Sequence, residues 1–157
     1  MKKVINSFDK GYFFLSNFFE HQNSPIFMEH SNIPFYSVEA AFQCAKYHGP
    51  HVRDIQRIFS MLSPEQAKHL GRALSLSPDW EFRKFDIMYD LVEQKFTRSE
   101  HLKEKLLETG DAELIEGNTW HDTCWGFCTC EKHKCGNNHL GVILMKVREK
   151  LKSIQNA

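Results

Sequence analysis

Residues able to do chemistry are concentrated in a loop that begins at Asp122. The segment Asp122-Thr-Cys-Trp125-Gly126 combines a carboxylate, a large aromatic ring and a glycine, and Asn138-His-Leu140-Gly141 follows where a helix is predicted to start. A carboxylate can orient hydroxyl groups or a water molecule, and an indole can stack on a flat ring. Because a helix can hold such a loop rigidly, the combination suits a bound sugar or base.

A lysine within an apolar helix stripe is the second indication of chemistry. A helix is predicted from about Asp79 to about Phe96. At about 100° per residue, one face of this helix carries Trp80, Lys84, Ile87, Met88 and Leu91. Lys84 can pack its stem and extend its ammonium to water, which is the more common behaviour. Alternatively, its amine lies in a pocket, where desolvation lowers the pKa and frees the amine for nucleophilic or Schiff-base chemistry.

The helix predicted from the Ser37 cap to about Tyr47 has two different faces. Residues three, four and seven positions apart share one side of a helix, and the polar side carries Glu39, Phe42, Gln43 and Lys46. The other side consists of Val38, Ala41, Cys44 and Ala45. Their small size indicates close packing on the core. The polar side then faces either solvent, which is the default, or a cleft.

Arg72 offers a further binding group. It follows Gly71 near the end of a helix that starts at the signal Ser63-Pro64-Glu65-Gln66, where a capping serine, a proline and a glutamine have the spacing of a capping box. A guanidinium there can hold a phosphate, although a surface arginine is the commoner case.

The cysteines are interpreted as reduced thiols. There are five of them, and an odd number without an export signal argues against a disulfide framework. Cys124, Cys128, Cys130 and Cys135 lie close together, and the neighbouring histidines are His121, His133 and His139. The spacing Cys128-x-Cys130-x4-Cys135 differs from the paired C-x2-C of zinc ribbons and fingers. Thiols that shape a loop are therefore favoured over a structural metal, and no metal ligands are predicted.

Length and charge limit the classes to which this chain can belong. Its 157 residues fit one domain, residues 1–157, with a core large enough to need no staples. The net charge is zero, so no global field draws the protein to nucleic acid or to a membrane. The chain shows neither a signal peptide nor a membrane-spanning stretch, and a soluble cytoplasmic protein is predicted. No feature indicates an obligate protein partner.

Turn signals divide the chain into short strands followed by helices. Strands are predicted at Val4–Phe8, Tyr12–Leu15, Ile26–Met28 and Ile33–Phe35. Besides the helices after Ser37, Ser63 and Asp79, a shorter one begins at Ser99 and is closed by Thr109-Gly110, and the last runs from Asn138 to about Leu151. The predicted class is α+β, dominated by helices, with short N-terminal strands.

A series of short motifs runs through almost the whole sequence in a fixed order. They are Leu15-Ser16-Asn17-Phe18, Ser37-x-Glu39-x2-Phe42-Gln43-x2-Lys46, Gly71-Arg72, Trp80-x3-Lys84, Lys95-Phe96, Thr109-Gly110, Leu114-x-Glu116, Asp122-x2-Trp125-Gly126, Asn138-x-Leu140-Gly141 and Leu144-Met145-x2-Arg148. The ordered set resembles the NADAR family, also called YbiA-like. This resemblance implies that family's fold and an N-glycosidase activity, the cleavage of a bond between the anomeric carbon of ribose and a nitrogen.

The resemblance also implies substrates and functional positions. Described substrates of the family are early ribosylamino-pyrimidine intermediates of riboflavin synthesis and ADP-ribose attached to guanine in nucleic acid. The matching functional positions are Glu39, Trp80, Lys84, Asp122 and Trp125, and Lys46 and Arg72 match other recurrent positions. The cysteine-bearing segment after Gly126 differs from the short, glycine-rich one of many relatives, and this difference bears on substrate choice.

The predicted mechanism combines the residue chemistry with the resemblance. Neutral Lys84 would add to the anomeric carbon and hold the opened ribose as an iminium. Glu39 would transfer protons, and Asp122 would stabilise cationic character or orient the hydrolytic water. Aromatic rings would stack on the base or sugar and cations would hold phosphate. The predicted substrate-binding residues are Trp80, Trp125, Arg72, Lys46, Gln43, Asn17 and Asn138. No metal or organic cofactor is needed, and the partner is a small-molecule or nucleotide substrate or ADP-ribosylated nucleic acid.

Two functions of other classes are alternatives. A module that binds ADP-ribose or NAD without turnover would keep the aromatic residues and Arg72, but it would not require a lysine in an apolar stripe. A small zinc-stabilised interaction domain could instead be built on the segment from Cys124 to Cys135. Metal analysis of the purified protein would distinguish this second alternative.

Overall fold

The computed structural model describes residues 1–157 and has six α-helices and six two-residue strands. The strands pair two by two into three small sheets. The predicted class, α+β with helices dominating, is confirmed. The chain divides into two compact units, residues 17–99 and residues 1–16 with 100–157. That residues 1–157 act as one domain stays a prediction.

The unit of residues 17–99 is built around a fully buried helix. This helix, α1 (Val38–Ala45), packs against α2 (Val52–Ser60), α3 (Pro64–Gly71) and α4 (Trp80–Thr97). An antiparallel pair, β2 (Ile26–Phe27) with β3 (Pro34–Phe35), completes the unit. Every residue of α1 is buried, so the polar groups on α1 that sequence analysis selected lie in the interior of this unit.

The unit of residues 1–16 and 100–157 contains two helices and two parallel strand pairs. Its helices are α5 (Glu100–Glu108) and α6 (His139–Gln155). Strand β1 (Val4–Ile5) pairs with β4 (Glu113–Leu114), and β5 (Gly117–Asn118) pairs with β6 (Phe127–Cys128). Helix α6 packs its apolar stripe against α5 and β4, and this arrangement supports the chain on either side of the loop that begins at Asp122.

Two of the predicted helix starts are confirmed by side-chain cap hydrogen bonds. The hydroxyl of Ser37 accepts a hydrogen bond from the Ala40 amide at 3.1 Å, and Ser63 and Gln66 form the complete capping box. Helix α2 was not predicted: it is only nine residues long, its N-cap residue His51 makes no side-chain cap hydrogen bond, and it buries only Gln56 and Phe59. Helix α6 continues past the predicted end at Leu151 to Gln155.

The strand predictions were partly wrong. The segment predicted as a strand at Tyr12–Leu15 lies within a 3-10 helix, Lys10–Leu15, because a short apolar run does not distinguish a strand from a helical turn. The other predicted strands exist but are only two residues long, and β4, β5 and β6 were missed. Pairs this short carry too few residues for an alternating pattern.

A buried histidine gives the unit of residues 17–99 a pH-dependent stability. Burial, reinforced by the positive charge of Lys95, lowers the pKa of His21 from 6.5 to about 4, and His21 is 5% exposed. The folded state therefore resists protonation of the ring, whereas the unfolded chain protonates below about pH 6.5. Stability should fall as the pH drops from about 6.5 to about 4, by up to about 3 kcal/mol, and the contribution should be constant outside that range.

This prediction can be checked by urea unfolding of wild type and His21→Asn across pH 4 to 7. Asparagine at position 21 does not titrate, so the stability of the variant should vary less with pH between pH 4 and 7. Parallel pH profiles for the two proteins would contradict the assignment of the effect to His21.

Candidate active site

Helix α1 presents a hydrogen-bonded carboxylate and amide to the interior. Glu39 and Gln43 are 8% and 7% exposed, and Gln43 Nε2 donates to Glu39 Oε1 at 2.9 Å. A solvent-facing polar side, the default in the sequence analysis, is therefore not what the structure contains. A carboxylate is rarely buried without a specific role, so the buried position of Glu39 agrees with a chemical function.

A residue that precedes α1 holds the backbone of Glu39 in position. The Glu39 amide donates to the backbone carbonyl of Asn17 at 3.1 Å. The Asn17 side chain is itself buried and its Nδ2 lies 3.5 Å from the sulfur of Met88 on α4. Asn17, predicted to bind substrate, thus also connects the start of α1 to α4, which carries Lys84.

Gln43 is packed against a glycine that leaves room for its amide. A Cβ atom at Gly71 would collide with the Gln43 side-chain amide, so no larger residue fits at this position unless Gln43 moves. Gln43 Oε1 is buried and has no hydrogen-bond partner in the protein. Because buried polar atoms are usually paired, an unpaired oxygen here is unusual, and its packing against Gly71 leaves it almost no exposed surface.

Helix α4 supplies Lys84 and Trp80. The Lys84 side chain is 14% exposed, and its Nζ contacts Glu81 Oε2 at 2.5 Å. The Trp80 ring is buried and packs against Phe42 of α1, with ring centroids 5.3 Å apart and planes tilted by 48°. The predicted apolar stripe is therefore present, and Lys84 lies at its half-buried margin. Trp80 contributes to the interface between α4 and α1.

The pKa of Lys46 depends on the charges of several of these residues. Burial lowers the pKa of Lys46, the carboxylate of Glu39 raises it, and the positive charges of Lys68, Lys84 and Arg72 lower it further, with a net decrease. One buried carboxylate thus shares its surroundings with four cations. Such an excess of positive charge favours an anionic ligand, and phosphate most of all.

Two members of this neighbourhood were missed by the sequence analysis. Lys68 precedes Arg72 by four residues, and Glu81 precedes Lys84 by three, so helical spacing places each pair on one side of its helix. That spacing was the signal that could have found them. Arg72 itself is exposed at the end of α3, and its phosphate-binding role stays a prediction.

In the other unit, the Asp122 side chain organises its own loop. Asp122 Oδ1 accepts hydrogen bonds from the amides of Cys124 and Trp125 at 3.1 and 2.9 Å. The amide of Asp122 donates to Asn118 Oδ1, and the carbonyl of Asp122 accepts from Asn118 Nδ2. The indole of Trp125 is half-buried and lies edge-on to His139 at 6.2 Å. The loop is therefore well defined around both predicted residues.

Both the oxygen and the nitrogen of the Asn138 side-chain amide form hydrogen bonds within the protein. Its Oδ1 accepts from the Glu116 amide and its Nδ2 donates to the Leu114 carbonyl, both at 2.9 Å. The residue adopts a left-handed conformation just before α6 and does not cap the helix with its side chain. These bonds connect the start of α6 to β4 and the residues after it, and the substrate-binding role of Asn138 stays a prediction.

Comparison with known proteins identifies the family. A family model described as the NADAR domain matches residues 5–152. The chain belongs to the NADAR family. This chain is 38% identical over 121 residues to "N-glycosidase Npun_R5314" of Nostoc punctiforme, and the match covers 75% of each protein. It is 36% identical over 115 residues to "N-glycosidase YbiA" of Escherichia coli, covering 72% of this chain and 68% of YbiA.

Two further comparisons concern a longer relative and a solved structure. "Riboflavin biosynthesis protein PYRR, chloroplastic" of Arabidopsis thaliana is 36% identical over 100 residues, which are 60% of this chain and 16% of that protein. The NMR structure of E. coli YbiA matches with a TM-score of 0.77 and 30% identity, over 99% of this NADAR chain and 89% of YbiA. The family and fold predicted from the ordered motifs are therefore confirmed.

Proposed function

We propose that this chain is an N-glycosidase that hydrolyses the bond between a phosphorylated ribose and a heterocyclic base, with Lys84 as its nucleophile. The prediction of a hydrolase that acts on N-glycosyl bonds is confirmed at the level of enzyme class, because relatives that match most of the chain are named N-glycosidases. The single observation that carries the rest is the shared neighbourhood of buried Glu39, half-buried Lys84 and the surrounding cations.

The proposed first step forms a bond from Lys84 Nζ to the anomeric carbon and breaks the bond from that carbon to the base nitrogen. Nζ must be neutral to attack, and Glu81, which already accepts its hydrogen bond, can take the proton it loses. Glu39 in its protonated form gives a proton to the departing nitrogen, so that the base leaves as a neutral molecule. Gln43 holds the Glu39 carboxyl in place for this transfer.

The second stage releases the sugar. A proton from the lysine nitrogen, carried by Glu81, passes to the ring oxygen as the bond from the anomeric carbon to that oxygen breaks, and the nitrogen shares the electron pair this frees to form a protonated Schiff base. Water then adds to the same carbon, and Glu39 accepts a proton from it. The proton of the new hydroxyl group passes to the lysine nitrogen, the carbon–nitrogen bond breaks, and the sugar leaves as its open-chain aldehyde. The lysine and the carboxylic acid return to their starting states, and the net reaction consumes one water molecule. No step requires a metal or an organic cofactor.

The cations favour a phosphate on the ribose. Glu39, Lys84, Lys68 and Arg72 all lie close enough to Lys46 to shift its pKa, and a guanidinium can hold phosphate by two parallel hydrogen bonds. A phosphoribosylamino-pyrimidine fits this charge, and the similarity to a riboflavin biosynthesis protein supports this substrate class. ADP-ribosylated guanine, the other predicted substrate, has the same bond type and is distinguished by experiment.

The proposal is tested by product analysis. The purified protein is incubated separately with a phosphoribosylamino-pyrimidine, ADP-ribosyl-guanosine and NAD, and the products are followed by mass spectrometry. We expect free pyrimidine and ribose phosphate from the first substrate, with slower or no cleavage of the other two. Preferential release of guanine would transfer the assignment to ADP-ribosylated guanine. Tight binding of ADP-ribose or NAD without any cleavage would support a binding module instead.

A chemical role of Asp122 in the reaction can be separated from its structural role in the loop. Asp122→Asn retains an Oδ1 that can accept the amides of Cys124 and Trp125, whereas Asp122→Ala removes it. We expect the alanine variant to lose about 1 kcal/mol of stability and the asparagine variant to keep wild-type stability. If the charge of Asp122 acts on the reaction, asparagine should still reduce kcat by about 100-fold.

Stability and kcat of both variants are measured by urea unfolding and initial rates. Wild-type kcat in a stable Asp122→Asn protein would limit this carboxylate to organising the loop.

A further inference from the structure

The unit that contains α6 brings two cysteines and two histidines to one point. His121, Cys128, Cys130 and His133 each offer one ligand atom, and these four atoms all lie within 4.8 Å of one another. We propose that they form a structural Zn²⁺ site. The site is independent of the proposed reaction, because none of its four residues takes part in that reaction.

The contacts within the cluster are not those of ordinary hydrogen bonding. His121 Nδ1 lies 3.1 Å from His133 Nδ1, 3.3 Å from Cys130 Sγ and 3.9 Å from Cys128 Sγ. Cys130 Sγ is also 3.0 Å from His133 Nδ1. A ring nitrogen has either one N–H or one lone pair in the plane of the ring, so it cannot satisfy three such neighbours. Atoms that converge in this way are arranged around a common centre.

The observed separations agree with a tetrahedron of zinc ligands. Zn–S bonds of about 2.3 Å and Zn–N bonds of about 2.0 Å give edges of about 3.3 to 3.8 Å between ligand atoms. Four of the six pairs are 3.0 to 3.9 Å apart, and the other two, Cys128 with Cys130 and Cys128 with His133, lie within 4.8 Å. A regular tetrahedron needs side-chain rotations of exposed His121 and His133 and of half-buried Cys130, whereas Cys128 is buried in β6.

The ligand set is that of a structural site. Two cysteines and two histidines fill all four positions of a tetrahedron, so no position remains for water or substrate, as a catalytic zinc requires. Cys128 Sγ also accepts a hydrogen bond from the Cys130 amide at 3.4 Å, and contacts of this kind orient metal ligands. Thiolate sulfur with imidazole nitrogen favours zinc over magnesium or calcium.

The proposed ion would fix the loop from both sides of Asp122. His121 immediately precedes Asp122, and Cys128 and Cys130 follow Trp125, so the ligands enclose the segment whose turn depends on Asp122 Oδ1. His121 also has a left-handed backbone conformation with φ of 71°, which costs roughly 1 kcal/mol in a residue other than glycine. A bond to zinc would offset this cost and hold the loop in one conformation.

The ligands differ from those considered in the sequence analysis. In the sequence, the spacing of Cys128, Cys130 and Cys135 is irregular for a zinc site, and reduced thiols were therefore favoured although histidines lie nearby. In the structure, the backbone of Cys135 pairs with that of Cys128 in a two-residue bridge, and Cys135 is exposed and outside the four-residue cluster. The sequence spacing alone did not indicate this ligand set, because one histidine precedes the cysteine pair, the other follows it, and only the fold brings all four together.

The first test measures metal in the wild-type protein. Protein incubated with Zn²⁺ and then freed of unbound ions should contain roughly one Zn²⁺ per chain by mass spectrometry. Replacement with Co²⁺ should give the strong visible absorption of a tetrahedral site together with sulfur-to-cobalt charge transfer. Absence of bound Zn²⁺, or a Co²⁺ spectrum without sulfur ligation, would overturn the proposal whatever the variants do.

The second test uses two serine substitutions in the same loop. Cys130→Ser removes one ligand and should weaken Zn²⁺ binding by about 100-fold or more, since loss of a supporting hydrogen bond alone costs about 10- to 100-fold. Cys135→Ser, the matched control, should bind Zn²⁺ as wild type does. Chelation should lower the thermal midpoint of wild type and Cys135→Ser, and added Zn²⁺ should restore it.

The comparison between variants is decisive in either direction. Equal Zn²⁺ affinity for Cys130→Ser and wild type, or loss of binding in Cys135→Ser alone, would show that the metal is held elsewhere and overturn the site. If Cys130→Ser does not fold, His133→Ala at the exposed end of the cluster is the substitute variant. In that case the Co²⁺ spectrum of wild type still reports sulfur ligation directly.

Discussion

Replacing Lys84 with arginine is expected to reduce turnover by about 1,000-fold or more while the protein remains folded. A guanidinium keeps its positive charge at all accessible pH values and cannot supply a neutral amine to the anomeric carbon. Removal of a nucleophile from a catalytic set commonly costs at least this much. The side chain lies at the margin of the apolar stripe and bonds to an exposed glutamate, Glu81, so arginine can occupy the same path without burying a new charge.

A matched control exists on another helix. Lys103 of α5 pairs with Glu100 at 3.6 Å through the same three-residue spacing that relates Lys84 to Glu81. Lys103→Arg should leave kcat unchanged and should match Lys84→Arg in thermal stability. Equal loss of activity in the two variants would indicate a general effect of the substitution, with no specific role for Lys84.

The covalent intermediate provides an independent measurement. Borohydride added during turnover reduces a protonated Schiff base to a stable amine, so the wild-type chain should gain the mass of a reduced ribose phosphate on the peptide that contains Lys84. The same treatment of Lys84→Arg should give no adduct. Undiminished catalysis by the arginine variant, or an adduct on a different lysine, would remove Lys84 from the mechanism and leave the N-glycosidase class in place.

The parts of the fold that sequence predicted well are those governed by local rules. The starts of α1 and α3 depend on one serine hydroxyl and a few backbone amides, and both serines were identified from neighbouring residues alone. The pairing of β1 with β4 joins Val4 to Glu113. A contact between residues so far apart in the chain leaves no periodic pattern in either segment, and each strand is too short to supply one.

Prediction of the candidate site was limited in the same way: contacts within one helix were predicted, and contacts between distant segments were not. Helical spacing placed Glu39 with Gln43 correctly, because both lie on α1. It left open whether that side was buried, since burial depends on α2, α3 and α4 packing around α1. The structural bonds of the Asn138 amide were not predicted for a related reason. Its partners are backbone atoms more than 20 residues earlier in the chain, and no local rule indicates them.

Replacing Glu39 with glutamine is expected to reduce kcat by about 100-fold, with little change in stability. The substitution removes the ability to give and accept a proton, which is typically worth this factor in rate. It preserves the shape of the side chain, and a glutamine Oε1 can still accept the hydrogen bond that Gln43 Nε2 donates at 2.9 Å. Because the buried donor remains paired, no large penalty for an unsatisfied polar group is expected.

Initial rates across a range of pH distinguish a chemical role for Glu39 from a structural one. If Glu39 transfers protons, the variant should lose one limb of the wild-type pH–rate profile in addition to its lower kcat. The control is Glu65→Gln, an exposed glutamate in the first turn of α3, which should leave both unchanged. Suppose instead that the glutamine variant unfolds more easily, and that its folded fraction keeps the wild-type kcat and pH profile. Glu39 would then stabilise α1 without acting on the substrate, and the proton would have to come from another group.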